Sequence, residues 1–305
     1  MLTLKINDIT FKSPIMVASG TYGYGNEVSD FVNLSKFGAI ITKSVTRNPR
    51  EGNPPPRIFE VSSGMLNSIG LANLGVERYI DEKIPYLNKI DTNIIINIAG
   101  TRIDDYIETL EMLEEANSKH VGYEINISCP NVKEGGMQFG VSPNMTKELT
   151  EELRKKTDKI LIMKLSPNVT SIEDIGLAAQ DGGADAVSAI NTVMGMSVDI
   201  NARKPRLSTV MGGLSGQCIK PIALANVHKL FKSLDIPIIG IGGISNFEDI
   251  IEFMLTGAKF IELGTINYKY PNLVETLTDE LQSYLKKYSI DHIQDIVGDL
   301  MIENK

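Results

Sequence analysis

Residues 93–99 read Asn-Ile-Ile-Ile-Asn-Ile-Ala, and this stretch decides the fold. Continuous rather than alternating apolarity suits a strand buried on both faces of a parallel sheet. A helical stretch follows from Asp104 to Asn117, then a second buried strand from Gly122 to Ile127. The same cadence extends outward in both directions. Toward the N-terminus lie strands Pro14 to Ala18 and Ala39 to Lys43, with helices from about Glu27 to Lys36 and from Val76 to Leu87. Toward the C-terminus the helix Thr146 to Lys156 leads to strand Ile160 to Leu165 and helix Ile172 to Asp181. Strand Ala186 to Asn191 and helix Ile219 to Leu234 follow, then strand Pro237 to Ile241 and helix Phe247 to Leu255. Strand Phe260 to Leu263, helix Asn272 to Tyr284 and a short helix from Ile290 to Val297 end the chain.

Eight strand–helix units without a linker or composition break predict one α/β domain over residues 1–305, a (β/α)8 TIM barrel. A doubly wound open sheet is the alternative, but open sheets more often have fewer strands. Leu2 to Lys12, turning at Asn7-Asp8, predicts a β-hairpin that closes the bottom of the barrel. Three connections after strands, about Thr46 to Asn73, Pro130 to Met145 and Val193 to Gln217, are too long for turns. All three fall on the catalytic face, which argues for a covered site.

A net charge of −8 argues against nucleic acid as a partner, since phosphate neutralisation needs a basic face. Two cysteines in 305 residues give neither a disulfide framework nor the four ligands of an iron–sulfur cluster. Met1-Leu2-Thr3-Leu4-Lys5 lacks the apolar core of a signal peptide, and no apolar run is long enough to span a bilayer. A cytoplasmic protein is expected.

Barrel chemistry sits at the C-terminal ends of the strands. Those ends carry Ser19-Gly20, Lys43-Ser44, Asn97, Asn126 with Cys129, Lys164, Asn191-Thr192, Gly242-Gly243 and Gly264-Thr265. The set contains no histidine and no carboxylate, so a metal site, a Ser-His-Asp triad and a glycosidase pair all lose support. Gly242-Gly243 and Gly264-Thr265 are placed to close backbone N–H groups around a phosphate, helped by a helix N-terminus beyond them. Relief of crowding at the rim is the alternative reading, but both strands carry the pattern together, which favours phosphate binding. Amides at Asn97 and Asn126 can pair with the edge of a heterocycle, and Lys164 suits the pyrimidine end of a flavin. A charge at that buried strand end is costly unless it is paired with something negative. FMN, with one phosphate, fits better than FAD.

Asn67-Ser68-Ile69-Gly70-Leu71, preceded by Asn53-Pro54-Pro55-Pro56-Arg57, offers donors and acceptors to a small planar substrate, together with Asn126, Asn131, Asn191 and Thr192. Cys129 follows a buried strand, and Pro130 with Gly135-Gly136 gives its loop the character of a lid. Cys218, inside an apparent helix, reads as a buried inert thiol. His120, His228 and His292 lie in or beside helices and read as surface residues.

Taken together, Lys43-Ser44, the 67–71 stretch, Asn126-Ile127-Ser128-Cys129-Pro130-Asn131, Lys164, Asn191-Thr192, Gly242-Gly243 and Gly264-Thr265 resemble the dihydroorotate dehydrogenases over nearly the whole chain. These are flavoenzymes of de novo pyrimidine (UMP) biosynthesis. Quinone-linked members use a serine base and an N-terminal extension. With Cys129, the chain looks like class 1. Ala18 to Gly25 and the 53–57 stretch look like the 1B form, the catalytic subunit of an NAD-linked complex. Asn73-Leu74-Gly75 departs from the expected Asn-Pro-Gly and implies a looser turn.

The resemblance implies that Cys129 takes the C5 proton of dihydroorotate while hydride passes from C6 to FMN. It implies FMN contacts from Ser19, Gly20, Lys43, Ser44, Asn97, Asn126, Lys164, Ile190, Gly216, Gly242, Gly243, Gly264 and Thr265. Substrate contacts would come from Lys43, Asn67, Ser68, Ile69, Gly70, Leu71, Asn126, Asn191 and Thr192. FAD and a 2Fe–2S cluster would sit on a partner subunit, in a heterotetramer with two copies of each chain. A free thiol, with a pKa near ~8.5, needs help from its surroundings to act as a base at neutral pH. The alternatives are a fumarate-linked class 1A enzyme and a flavin-free phosphate-binding barrel lyase or synthase.

Overall fold

In a computed structural model the described residues are 1–128 and 139–302. The strands up to the first long connection are β1 (Leu4–Ile6), β2 (Ile9–Phe11), β3 (Ile15–Val17), β4 (Ala39–Ile41), β5 (Ile58–Val61) and β6 (Gly64–Asn67). Next come β7 (Asn93–Ala99), β8 (Gly122–Asn126), β9 (Ile160–Lys164) and β10 (Ala186–Ala189). The last are β11 (Val193–Met196), β12 (Val198–Asp199), β13 (Lys204–Pro205), β14 (Met211–Ser215), β15 (Ile238–Ile241) and β16 (Ala258–Leu263).

β3, β4, β7, β8, β9, β10, β15 and β16 pair in that order, all parallel, and β16 closes on β3. This is the expected TIM barrel. Its Ile-rich strands are buried on both faces, as Ile94, Ile95, Ile96, Ile98 and Ala99 of β7 illustrate. The β1–β2 hairpin closes the bottom. Phe11 meets Phe260 edge-on at 5.1 Å, and the Asn93 amide donates to the Thr10 carbonyl at 2.9 Å.

The outer helices are α1 (Val76–Glu82), α2 (Ile84–Leu87), α3 (Ile103–Glu115), α4 (Pro143–Arg154), α5 (Ile172–Asp181), α6 (Lys220–Ser233), α7 (Phe247–Leu255) and α8 (Leu273–Lys287). Ser142, Ser171 and Asn246 cap α4, α5 and α7 by accepting from the backbone N–H three residues on. The Ser142 cap and Pro143 start α4 three residues before the expected Thr146.

Three expectations for the elements fail for local reasons. Glu27 to Lys36 is not a helix: turns lead to one 3-10 turn, Leu34–Lys36. There Asn33 accepts from the Ser35 N–H and Glu27 from the Tyr24 N–H, the side-chain competition that draws such residues out of helices. Val76 to Leu87 is two helices rather than one. Pro85, with no N–H to give, falls in the first turn of the second. The connections after β4 and β10 are not loops alone. They supply a four-stranded antiparallel sheet, ordered β11-β14-β6-β5, that stands on the catalytic rim.

His120 is not a surface residue. It is 4% exposed and stands edge-on to Tyr123 at 4.8 Å at the entrance to β8. Burial, with the charge of Lys159 adding to it, pulls the imidazole down to about 4. An unfolded histidine titrates near ~6.5, so between those values the unfolded chain holds the extra proton. Stability therefore falls as pH drops through this window, by up to about 3 kcal/mol at its lower end. Urea unfolding at pH 7 and pH 4.5 should show this slope in the wild type and a flatter one in His120→Gln. Equal slopes would remove His120 as the cause.

Candidate active site

Inward-facing side chains alternate along each barrel strand, and the inward layer just below the rim is polar. It holds Asn97 on β7, Glu124 on β8, Lys164 on β9, Ser188 on β10 and Glu262 on β16, with Ser44 just past β4. Glu124 and Glu262 are fully buried and Lys164 is 5% exposed. The strand ends alone suggested a site without carboxylates, but two lie in the layer directly beneath. Glu124 sits two residues before Asn126 on the same strand face, the signal from which it could have been read.

Each side chain in the layer bonds another, although Glu262 Oε1 is left without a partner. The Lys164 ammonium donates to Glu124 Oε1 at 3.1 Å and to Glu262 Oε2 at 3.5 Å. Asn97 Nδ2 also donates to Glu124 Oε1, at 2.6 Å, and Ser188 Oγ donates to Glu124 Oε2 at 2.8 Å. Ser44 Oγ donates to Asn97 Oδ1, which fixes the orientation of that amide. Burial pushes Glu124 up, but the Lys164 charge and these donors bring it below the usual carboxylate range. Glu262 lies well above that range, through burial and then the negative charge of Glu124. Burial opposes the Lys164 charge, yet the two carboxylates hold its ammonium above the ordinary lysine value.

A second cluster joins the rim to the antiparallel sheet. Asn126 Oδ1 accepts from Asn191 Nδ2 at 3.3 Å and from the Ser128 N–H, and its carbonyl accepts from Tyr106. Asn191 Oδ1 accepts from the Thr192 N–H at 2.8 Å. Asn168, which the sequence did not single out, spans the next turn: it donates to the Thr192 carbonyl and accepts from the Met194 N–H. Asn67, at the end of β6, reaches the Gly213 carbonyl of β14 at 3.4 Å. Gly213 lies against Thr192, where a Cβ would come within 2.1 Å of the Thr192 hydroxyl. The proline-rich stretch and the 67–71 stretch also meet, since Asn53 donates to the Ser68 and Ile69 carbonyls through its side chain and backbone. Ser68 Oγ is buried without a hydrogen-bond partner. Asn73 makes four side-chain bonds, to Thr46, Leu71 and Gly75, so the Asn-Leu-Gly turn is pinned rather than loosened.

Lys43 lies half-buried beyond β4, held below the ordinary lysine range by burial and then by the charge of Arg57. Ile190 is buried, and its N–H donates to Ile241 of β15. At the far side of the rim, Thr265 Oγ1 donates to Ser215 Oγ at 2.8 Å, which brings β16 to the Gly216 end of β14. At Gly242 and Gly243 the backbone runs close against α6: a Cβ on Gly243 would lie 2.7 Å from the Lys220 side chain at the start of that helix. The opposite holds at Gly20, where a Cβ meets nothing within 4 Å, and at Gly264, where it meets only Ala18 at 3.7 Å. The element after Gly264 is a 3-10 turn, Thr265–Tyr268, rather than the α-helix expected to lend a dipole.

Cys129, Pro130, Asn131 and Gly135-Gly136 lie outside the described residues. Cys218 is exposed rather than buried, because Gln217–Ile219 is a 3-10 turn at the surface ahead of α6. The implied FMN fits the residues present. Open space at Gly20 and Gly264 leaves room for a phosphate against backbone, and Lys164, Asn97 and Ser44 offer a cation and amide and hydroxyl groups.

Residues 1–285 match the family model for dihydroorotate dehydrogenase. A protein of Bacteroides thetaiotaomicron named dihydroorotate dehydrogenase B (NAD(+)), catalytic subunit, is 46% identical over 301 residues, 99% of each chain. Proteins of the same name from Geotalea daltonii and Thermoanaerobacter pseudethanolicus are 45% and 44% identical, over 99% of this chain and 98% and 99% of theirs. With a matching barrel, a matching family model and relatives aligned end to end, the chain belongs to the dihydroorotate dehydrogenase family of oxidoreductases.

Proposed function

We propose that this chain is the catalytic subunit of an NAD-linked dihydroorotate dehydrogenase, oxidising dihydroorotate to orotate in pyrimidine biosynthesis. One FMN is bound at the rim by Ser19, Gly20, Gly216, Gly242, Gly243, Gly264 and Thr265 at its phosphate side. Lys43, Ser44, Asn97, Asn126, Lys164 and Ile190 hold its ring side. When bound, FMN supplies the hydride acceptor. Cys129 takes the C5 proton of dihydroorotate. Lys43, the 67–71 stretch, Asn126, Asn191 and Thr192 orient the substrate ring and carboxylate. Electrons leave through a partner subunit carrying FAD and a 2Fe–2S cluster to NAD+, with two copies of each subunit in a cytoplasmic assembly. Among the described residues no helix is long and apolar enough to cross a membrane.

The observation that carries this reading is the position of Asn126. It is the strand neighbour of Lys164 and bonds Asn191, so the polar layer and the amide cluster meet at one residue. Such a junction suits a ring system stacked beside a second, amide-bearing ring. The test is the visible spectrum of the purified chain before and after anaerobic dihydroorotate. A yellow protein that bleaches supports the reading, and a colourless one that takes up no FMN sinks it. The isolated chain should reduce NAD+ poorly. Rapid NAD+ reduction by this chain alone would refute the need for a partner, and turnover with fumarate as sole acceptor would favour the class 1A form.

A further inference from the structure

The polar layer holds two carboxylates and one cation, and its geometry treats the carboxylates unequally. Glu124 receives Lys164, Asn97 and Ser188, three donors spread over both oxygens. Glu262 receives only the longer contact from Lys164, and its Oε1 is buried with no donor to accept from. The two carboxyl groups face the same Lys164 ammonium and act on each other, the negative charge of Glu124 pushing Glu262 up. Two ionised carboxylates have nothing to donate to each other. A proton on one of them turns repulsion into a bond and gives the orphaned side a donor. Among the described residues, the charged groups that bear on Glu262 are Lys164 of β9 and Glu124 of β8.

We propose that Glu124 and Glu262 share one proton, seated on Glu262, so that Lys164 is balanced by a single carboxylate and the layer carries no net charge. Glu262 is then a positioning residue. As a neutral donor it orients the ionised Glu124, which in turn holds the Lys164 ammonium at the rim. This rests on the reading of the rim as the FMN site for its functional consequence, but not for the proton itself. A second ionised carboxylate would place uncompensated negative charge beside the bound ring and disfavour its reduced form.

The test has one arm without FMN and one with it. Infrared difference spectra of the FMN-free chain at neutral pH should show the carbonyl stretch of a buried protonated acid. That band should vanish in Glu262→Gln. It should also vanish in Glu124→Gln, where Glu262 ionises as the sole partner of Lys164. With FMN bound, Glu262→Gln keeps a neutral donor and should leave the two-electron midpoint potential unchanged, while Glu262→Leu removes the donor and should weaken FMN binding about tenfold. Three results would overturn the proposal: no acid band in the wild type, a band that survives Glu262→Gln, or an upward midpoint shift of about 30 mV or more in that variant. Such a shift is a tenfold change in the relative affinity for the two redox states, the mark of a removed negative charge. If the chain binds no FMN, the functional reading fails, and the infrared arm still decides where the proton sits.

Discussion

A Lys164→Met chain is expected to be less stable than the wild type by about 3–5 kcal/mol, the usual cost of breaking a buried ion pair by removing one partner. Glu124 would keep the bonds from Asn97 and Ser188 but lose its cation, while remaining fully buried. It must then stay ionised without a counter-charge or take up a proton at a pH where carboxyls prefer to lose it. Urea unfolding measures the effect as a lowered midpoint at unchanged slope. Adding Glu124→Gln should restore part of the loss, because an amide of the same shape needs no cation. A Lys164→Met chain as stable as the wild type would show that the pair is not held in the geometry described. The variant should also bind FMN more weakly, which separates the lysine's contribution to the site from its contribution to the fold.

Replacing Cys129 by alanine should slow the bleaching of bound FMN by dihydroorotate by about 10²–10⁴-fold, the range for losing a positioned general base. FMN itself should remain bound, since all but Asn126 of the residues proposed to hold it lie on other strand ends. Stopped-flow absorbance after anaerobic mixing reads the rate directly. Undiminished reduction would take Cys129 out of the base role. A serine replacement should fall between the two, as a hydroxyl can pass a proton but ionises far less readily than a thiol.

Most of the barrel was legible because its strands are isoleucine-rich runs separated by helices with ordinary caps, so that periodicity and pattern agree. The first connection was not, because Asn33 and Glu27 bind backbone N–H groups that a helix would need. The rim sheet was hidden for another reason. β14 is Met-Gly-Gly-Leu-Ser, with little side-chain pattern, and its partner β6 lies far away in the sequence. At the site, the polar strand ends could be read one by one, and Lys164 announced that it needed an anion. Glu124 and Glu262 went unassigned because each sits inside a run otherwise read as apolar. Glu124 and Lys164 meet through the pairing of β8 with β9, and only closure of the barrel brings Glu262 of β16 across to them.

The rim sheet also bears on the order in which the molecule assembles. Met65 and Ser215, 150 residues apart, are neighbours across its central strand pair. Contacts so distant in sequence carry a heavy loop-closure cost and form late. Asn67 and Thr192 are joined through this pair, so their arrangement becomes available only after both halves of the chain have folded. A nascent or half-folded chain would present strands and helices without the arrangement proposed to hold dihydroorotate, and ligand binding at that site would thus report completed folding as well as affinity.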